Sequence, residues 1–139
     1  DKYNPPTIEK LKNEINSRLR RDAIIYKDYV TEEELISLYT NAKLVIYISF
    51  KEAFGLPPLE ALSYGVPSVV TDQSVTREIF GNHAFFVTNP DDPQSIATSI
   101  IEGLTNGSKR QEIQNTREGI LEKYTWQKHT DKFLEIMRS

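Results

Sequence analysis

Apolar positions fall into two rhythms along the chain. In "NPPTIEKLKNEINSRL" prolines mark a start, and Ile8, Leu11, Ile15 and Leu19 recur at helical spacing, predicting an amphipathic helix. The β-rich run "AIIY" at 23–26 predicts a short strand. Thr31 followed by Glu34 reads as a capping box opening a helix to about Asn41, with Leu35, Leu38 and Ala42 facing inward. "KLVIYISF" is apolar without alternation, the pattern of a strand covered on both faces by helices in a parallel sheet. A helix follows over about 57–64, ended by Gly65. "PSVVTD" and "AFFVT" predict two more buried strands, joined by a helical turn around "SVTREIFG". "NPDDPQSIATSIIEGL" predicts a helix with Ile96, Ile100, Ile101 and Leu104 on one face, and helices over about 108–122 and 126–137 close the chain. This alternation predicts an α/β fold: a Rossmann-like, doubly wound parallel sheet with flanking helices.

Composition narrows the partners more than the fold. A chain of 139 residues, 38% hydrophobic and 27% charged, suits one globular domain. The net charge of −3, with Lys and Arg interspersed among acids, offers no field for a polyanion, so no nucleic acid is expected. The absence of cysteine removes disulfides and thiolate metal sites and suits a reducing compartment, so a cytoplasmic location is expected, with the inner face of the membrane as a variant. No apolar run approaches the ~18 residues of a spanning helix, and the start lacks the regions of a signal peptide. The first residue is Asp1 rather than Met, so a fragment or a processed product is expected.

The candidate chemistry lies in "FKEAFGLPPLEALSYG", residues 50–65. In doubly wound sheets ligands sit at the carboxyl ends of strands, and this loop leaves a strand and enters a helix. A helix start presents unpaired N–H groups and a positive dipole end, so Phe54, Gly55 and Leu56 are candidates for holding a phosphate through their amides. Glu60, expected in the first turn, is placed to accept hydrogen bonds from a ribose diol. Glu52, ahead of the turn, is placed to meet a second polyhydroxylated group or a developing positive charge. Acids at helix starts also occur for electrostatic reasons alone, so the spacing by itself does not decide the matter.

The whole string "SFKEAFGLPPLEALSYGVPSVV" resembles the donor-site signature of glycosyltransferase family 4, retaining enzymes of the GT-B fold. The flanking "YVTEEELISLYTNAKLVIYIS", "TREIFGNHAFFVTNPDD" and "KYTWQKHTDKFLEIM" are similar to that family's neighbouring segments, extending the resemblance over about 23–137. It implies that Glu60 binds the nucleotide ribose, that Glu52 contacts the transferred sugar as the catalytic carboxylate, and that the amides of Phe54, Gly55 and Leu56 bind diphosphate and sugar. It also implies that Val30 meets the base through its main chain. Ala53 replaces the usual glycine, and Arg77 stands where many relatives have proline; no function attaches to Arg77. The implied reaction transfers a hexose from a UDP- or GDP-linked donor to a hydroxyl of a glycan or other acceptor, with retention and with no metal or cofactor.

On this resemblance residues 1–139 are part of the C-terminal nucleotide-sugar-binding domain. The N-terminal acceptor domain, the first strands of this domain, and the Arg and Lys that neutralise the leaving diphosphate are then expected upstream. The chain alone is expected to bind donor poorly and to catalyse nothing. If the parent sheet runs 3-2-1-4-5-6, the strands between "AIIY" and "LVIYIS" are missing, which leaves open edges. The expected partners are the missing portion, a companion fragment or a second copy through those edges, or a direct pairing of "AIIY" with "LVIYIS"; membrane contact is expected only through the absent domain. A noncatalytic nucleotide-binding or regulatory module and a GT-B epimerase are the alternatives. A two-carboxylate retaining glycosidase is disfavoured, because its carboxyl groups must lie about 5 Å apart across one bond. His83 and His129 read as surface or capping residues rather than metal ligands, and Tyr39, Phe85, Phe86 and Trp126 as core or interface residues.

Overall fold

The computed structural model describes residues 5–138, which fall into two compact units, 1–35 and 36–139. In the first unit α1 (Pro5–Leu19) runs as its periodicity predicts, but Leu11, Ile15 and Leu19 on its apolar stripe are exposed. "AIIY" forms no strand. The side-chain amide of Asn16 donates to the Ile24 carbonyl and accepts from the Ile24 N–H, both at 2.8 Å, and Ile25 is 76% exposed. A strand needs a ladder, and here one side chain satisfies the backbone locally instead. The strand expected at 23–26 is therefore absent among the described residues.

The capping box forms as read: Glu34 N–H donates to Thr31 Oγ1 at 3.2 Å and Thr31 N–H to Glu34 Oε2 at 3.1 Å. Lys27 Nζ meets the other Glu34 oxygen at 2.8 Å, and these partners, Lys27 first, hold the Glu34 carboxyl below its usual range. They open α2 (Glu32–Asn41), which carries no buried residue. Of Leu35, Leu38 and Ala42, which the periodicity turns inward, Ala42 is half-buried while Leu35 and Leu38 are exposed, Leu38 by 50%.

The second unit holds a three-stranded parallel sheet, β1 (Val45–Tyr47), β2 (Ser68–Thr71) and β3 (Phe85–Val87), in the order β1-β2-β3. Register pairs Ile46 with Val69 and Val70 with Phe86. Every residue of β2 is buried, as a strand covered on both faces must be. Between the strands lie α3 (Leu56–Ser63), packed on β1 and β2, and α4 (Ser74–Phe80). Then come α5 (Pro93–Thr105), packed on β2 and β3, α6 (Gly107–Leu121), and, after a 3-10 turn, α7 (Trp126–Arg138).

The core gathers Leu62, Val69, Val70, Phe80, Phe85, Val87 and Ile113. The buried face of α5 agrees with half of its predicted stripe: Ile96 and Ile100 are half-buried against the core beside the buried Ser99 and Gly103, while Ile101 and Leu104 are exposed. Small residues let the helix approach β3, where Ser99 Oγ donates to the Phe86 carbonyl at 2.9 Å, and bring Leu44 against Gly103. α3 ends in a left-handed Gly65 at φ 77°, with Gly65 N–H bonded to Leu62 and Val66 N–H to Ala61, both at 2.9 Å. Gln114 of α6 donates to the Gly65 carbonyl and ties that cap down.

Candidate functional site

The loop at 48–55 leaves the carboxyl end of β1 and is pinned to the ends of its neighbours. Ser49 N–H donates to Thr71 Oγ1 at 3.1 Å, and Gln73 Nε2 donates to the Ser49 carbonyl at 2.6 Å. Thr76 Oγ1 donates in turn to the Thr71 carbonyl at 2.6 Å, joining β2 to α4. Arg77, assigned no function from the sequence, forms a fork with both Asp72 oxygens at 2.6 and 2.7 Å and lies 3.5 Å over the Phe86 ring. Its guanidinium holds the Asp72 carboxyl below the usual range. Phe86 is thus half-buried beneath a cation, while Phe85 lies in the core as expected.

Gly55 makes the turn, at φ 82° and ψ 60°, immediately before α3. This left-handed conformation is costly for a residue with a Cβ and free for glycine. α3 opens at Leu56, one residue earlier than expected, so Glu60 sits in the second turn rather than the first. Of the first four helical residues two are Pro57 and Pro58, which have no N–H, so only Leu56 and Leu59 carry donors there. Of the three amides singled out in the sequence, that of Phe54 donates to Glu52, that of Gly55 is buried and also acts on Glu52, and that of Leu56 lies at the exposed helix start. The Phe54 ring anchors the turn edge-on against Tyr124, with centroids 5.4 Å apart.

Each glutamate is held by a tyrosine. Tyr47 Oη, at the end of β1, donates to Glu52 Oε2 at 2.5 Å, while the N–H groups of Ala53 and Phe54 donate to Glu52 Oε1 at 2.9 and 3.3 Å. Together these lower the Glu52 pKa, Tyr47 contributing most and the Phe54 amide next. Tyr39 Oη, from α2, donates to Glu60 Oε2 at 3.1 Å, leaving Oε1 open among the described residues. The Tyr39 ring stacks on Tyr64 at 5.5 Å, and burial, reinforced by Glu60, pushes its hydroxyl up to about 12. Tyr39 thus belongs to the site as well as to the packing. Val30 belongs to the first unit, where it is half-buried immediately ahead of the Thr31 cap.

Trp126, expected in a core or interface, is 89% exposed at the start of α7. With Phe54, Leu56, Tyr124, Thr125 and His129 it lines a shallow groove of 300 Å³ beside the turn. α7 has no buried residue among those described. His83 approaches the last carbonyl of α4, that of Phe80, at 3.1 Å and Glu112 at 3.6 Å. Among the described residues there is no cluster of three or more metal-ligating side chains, and no helix is long and apolar enough to cross a membrane.

The chain is similar to known proteins in sequence and in fold. O-antigen chain mannosyltransferase B of Escherichia coli is 36% identical over 121 residues, which cover 86% of this chain and 31% of that protein. O-antigen chain mannosyltransferase RfbU of Salmonella typhimurium is 37% identical over 92 residues, 65% of this chain and 26% of that protein. The chain thus spans less than a third of the length of these curated relatives. Among solved structures, an α,α-trehalose-phosphate synthase (UDP-forming) from Burkholderia vietnamiensis superposes with a TM-score of 0.81 over 96% of this chain and 32% of its own; at 18% identity the likeness shows a shared fold. The profile described as glycosyl transferases group 1 matches residues 4–118, most of the chain, and the chain belongs to that family.

Proposed function

We propose that this chain is the donor-binding part of a retaining glycosyltransferase that moves a hexose from a nucleoside diphosphate sugar to a glycan or other hydroxyl acceptor. The observation that carries the reading is the pair of tyrosine-held glutamates flanking the Gly55 turn. In this reading the open Glu60 Oε1 accepts from the ribose diol, the turn at Phe54, Gly55 and Leu56 meets the diphosphate at the positive end of α3, the Leu56 amide foremost, and Glu52 meets the hexose. The donors at the turn are held in place before charge develops on the leaving diphosphate, which is where fixed dipoles lower a barrier most. No metal or cofactor enters the proposed reaction; the Arg and Lys that complete neutralisation belong to the rest of the protein, as does the acceptor site.

The names of the relatives make mannose the first sugar to test and polysaccharide assembly the proposed setting; the proposed location is the cytoplasm. The missing portion is proposed to add strands along β1, an edge of the sheet whose Ile46 is 49% exposed. The test is calorimetric titration of the full-length protein with UDP- and GDP-linked hexoses, mannose included, in parent and Glu60→Ala forms. The expected result is binding of one donor series, weakened about tenfold or more by the substitution. No binding, or equal binding by the variant, refutes the ribose assignment. Binding without transfer to any acceptor favours the noncatalytic module.

A further inference from the structure

A carboxylate offers about four lone-pair positions. On Glu52 two of them, on Oε1, are engaged by the Ala53 and Phe54 amides at 2.9 and 3.3 Å, and one, on Oε2, by Tyr47 Oη at 2.5 Å. The Gly55 amide draws on the carboxylate as well, so the turn backbone holds Glu52 from one side and Tyr47 grips Oε2 from the other. In the donor-binding reading a sugar hydroxyl arriving at Glu52 meets an oxygen whose direction these partners have already set. Tyr47 is the last residue of β1, so the grip is mounted on the sheet while the carboxylate is mounted on a loop. The loop is itself tied through Ser49 to Thr71 and Gln73.

We propose that Tyr47 is a positioning residue for Glu52, its hydroxyl fixing the rotamer and the free lone pair of the oxygen that faces the transferred sugar. This rests on the donor-binding reading above. An ionised carboxylate at the end of a loop otherwise rotates among several staggered states, and only one of them presents Oε2 in a given direction. A bond from a rigid strand removes that freedom before substrate arrives, which is where an orienting group lowers a barrier. The same bond draws electron density from Oε2 and keeps the group ionised. Ser49, Thr71, Gln73 and Thr76 line the recess around the pair, and none of them carries a charge, so the Tyr47 hydroxyl is the titratable group that faces Glu52 there. Glu52 lies below the ordinary carboxylate range and Tyr47 above the ordinary phenol range, each with the other as its first cause.

The test uses the full-length protein with glutamate side chains labelled with carbon-13, the Glu52 signal being the one lost in Glu52→Gln. Its titration midpoint is expected below the ordinary range and is expected to rise in Tyr47→Phe, which keeps the ring and removes only the hydroxyl. In the same variant kcat for sugar transfer is expected to fall about tenfold, with the donor KM within about twofold of the parent. An unchanged Glu52 midpoint, or an unchanged kcat, overturns the proposal. Should Tyr47→Phe fail to fold, the reciprocal measurement decides: in Glu52→Gln the Tyr47 hydroxyl is expected to titrate lower than in the parent, and no change overturns the proposal. A shifted midpoint in a protein that transfers no sugar supports the hold of Tyr47 on Glu52 and overturns the donor-binding reading instead.

Discussion

Replacing Gly55 by alanine isolates the backbone conformation of the turn from every other effect at that position. A Cβ built there would lie 3.6 Å from Glu52 Cγ and 4.0 Å from Tyr47 Cε1, both ordinary contacts, so the methyl group itself fits. What remains is the left-handed conformation at φ 82°, which costs a residue with a Cβ about 1–2 kcal/mol. The lower entropy of alanine in the unfolded chain offsets about 0.4–1 kcal/mol of this. The net expectation is a loss of about 1 kcal/mol, or about 3 °C in melting temperature for a chain of this size. Gly119 supplies the control. It lies in α6 with nothing within 4 Å of a new Cβ and without a positive φ, so Gly119→Ala is expected to gain about 0.5–1 kcal/mol of helix propensity. Gly55→Asn, which tolerates the left-handed region, should lie between parent and Gly55→Ala. Urea unfolding followed by circular dichroism measures all three. A Gly55→Ala variant as stable as the parent, or more stable, refutes the argument, since it would mean that the turn does not require a positive φ.

Gly103→Ala should destabilise by about 1 kcal/mol despite the gain in helix propensity, because the new methyl lies 2.9 Å from both Leu44 methyls and 3.4 Å from the buried Phe85 ring. Shortening the neighbour in Gly103→Ala/Leu44→Val should recover part of that loss, seen as non-additivity in urea midpoints; strict additivity counts against the contact. Tyr39→Phe tests the second tyrosine through pH. The Tyr39 hydroxyl is raised in the folded state to about 12 from 10.0, so its contribution to stability is complete below pH 10 and is lost as pH rises toward 12. The parent should therefore lose more stability than Tyr39→Phe between pH 10 and 12, and parallel unfolding curves across that window would contradict the assignment.

Much of this architecture is visible along the chain because its signals are local. The Thr31/Glu34 box opens α2 where read, and the apolar runs around 45–47, 68–71 and 85–87 become the three strands. The misreadings share a cause. "AIIY" has the residues of a strand but no ladder to join, and the Leu35 and Leu38 stripe has helical period but no cover among the described residues. Period reports that a face is apolar; it does not report what lies opposite. The two tyrosines escaped for a different reason. Tyr39 and Glu60 are 21 residues apart on different helices, and Tyr47 and Glu52 are joined across a loop, where no repeat links donor to acceptor. On α5, the small residues Ser99 and Gly103 rather than the large Ile101 mark the buried side, since close approach to β3 selects for lack of volume.

The short helix α3 has a consequence for how the chain tolerates change in length. It is eight residues, about 12 Å, bracketed by left-handed glycines at Gly55 and Gly65, so both its phase and its extent are clamped. Glu60 stands four residues after Leu56, little more than one full rotation, which returns its side chain to the angular position of the helix start, with its Cβ tilted back toward it. Angular phase, rather than distance along the sequence, is what relates the carboxylate to the amides. A single residue inserted between Pro58 and Glu60 would turn the carboxylate by about 100°, away from both the turn and Tyr39, while preserving every residue type in the motif.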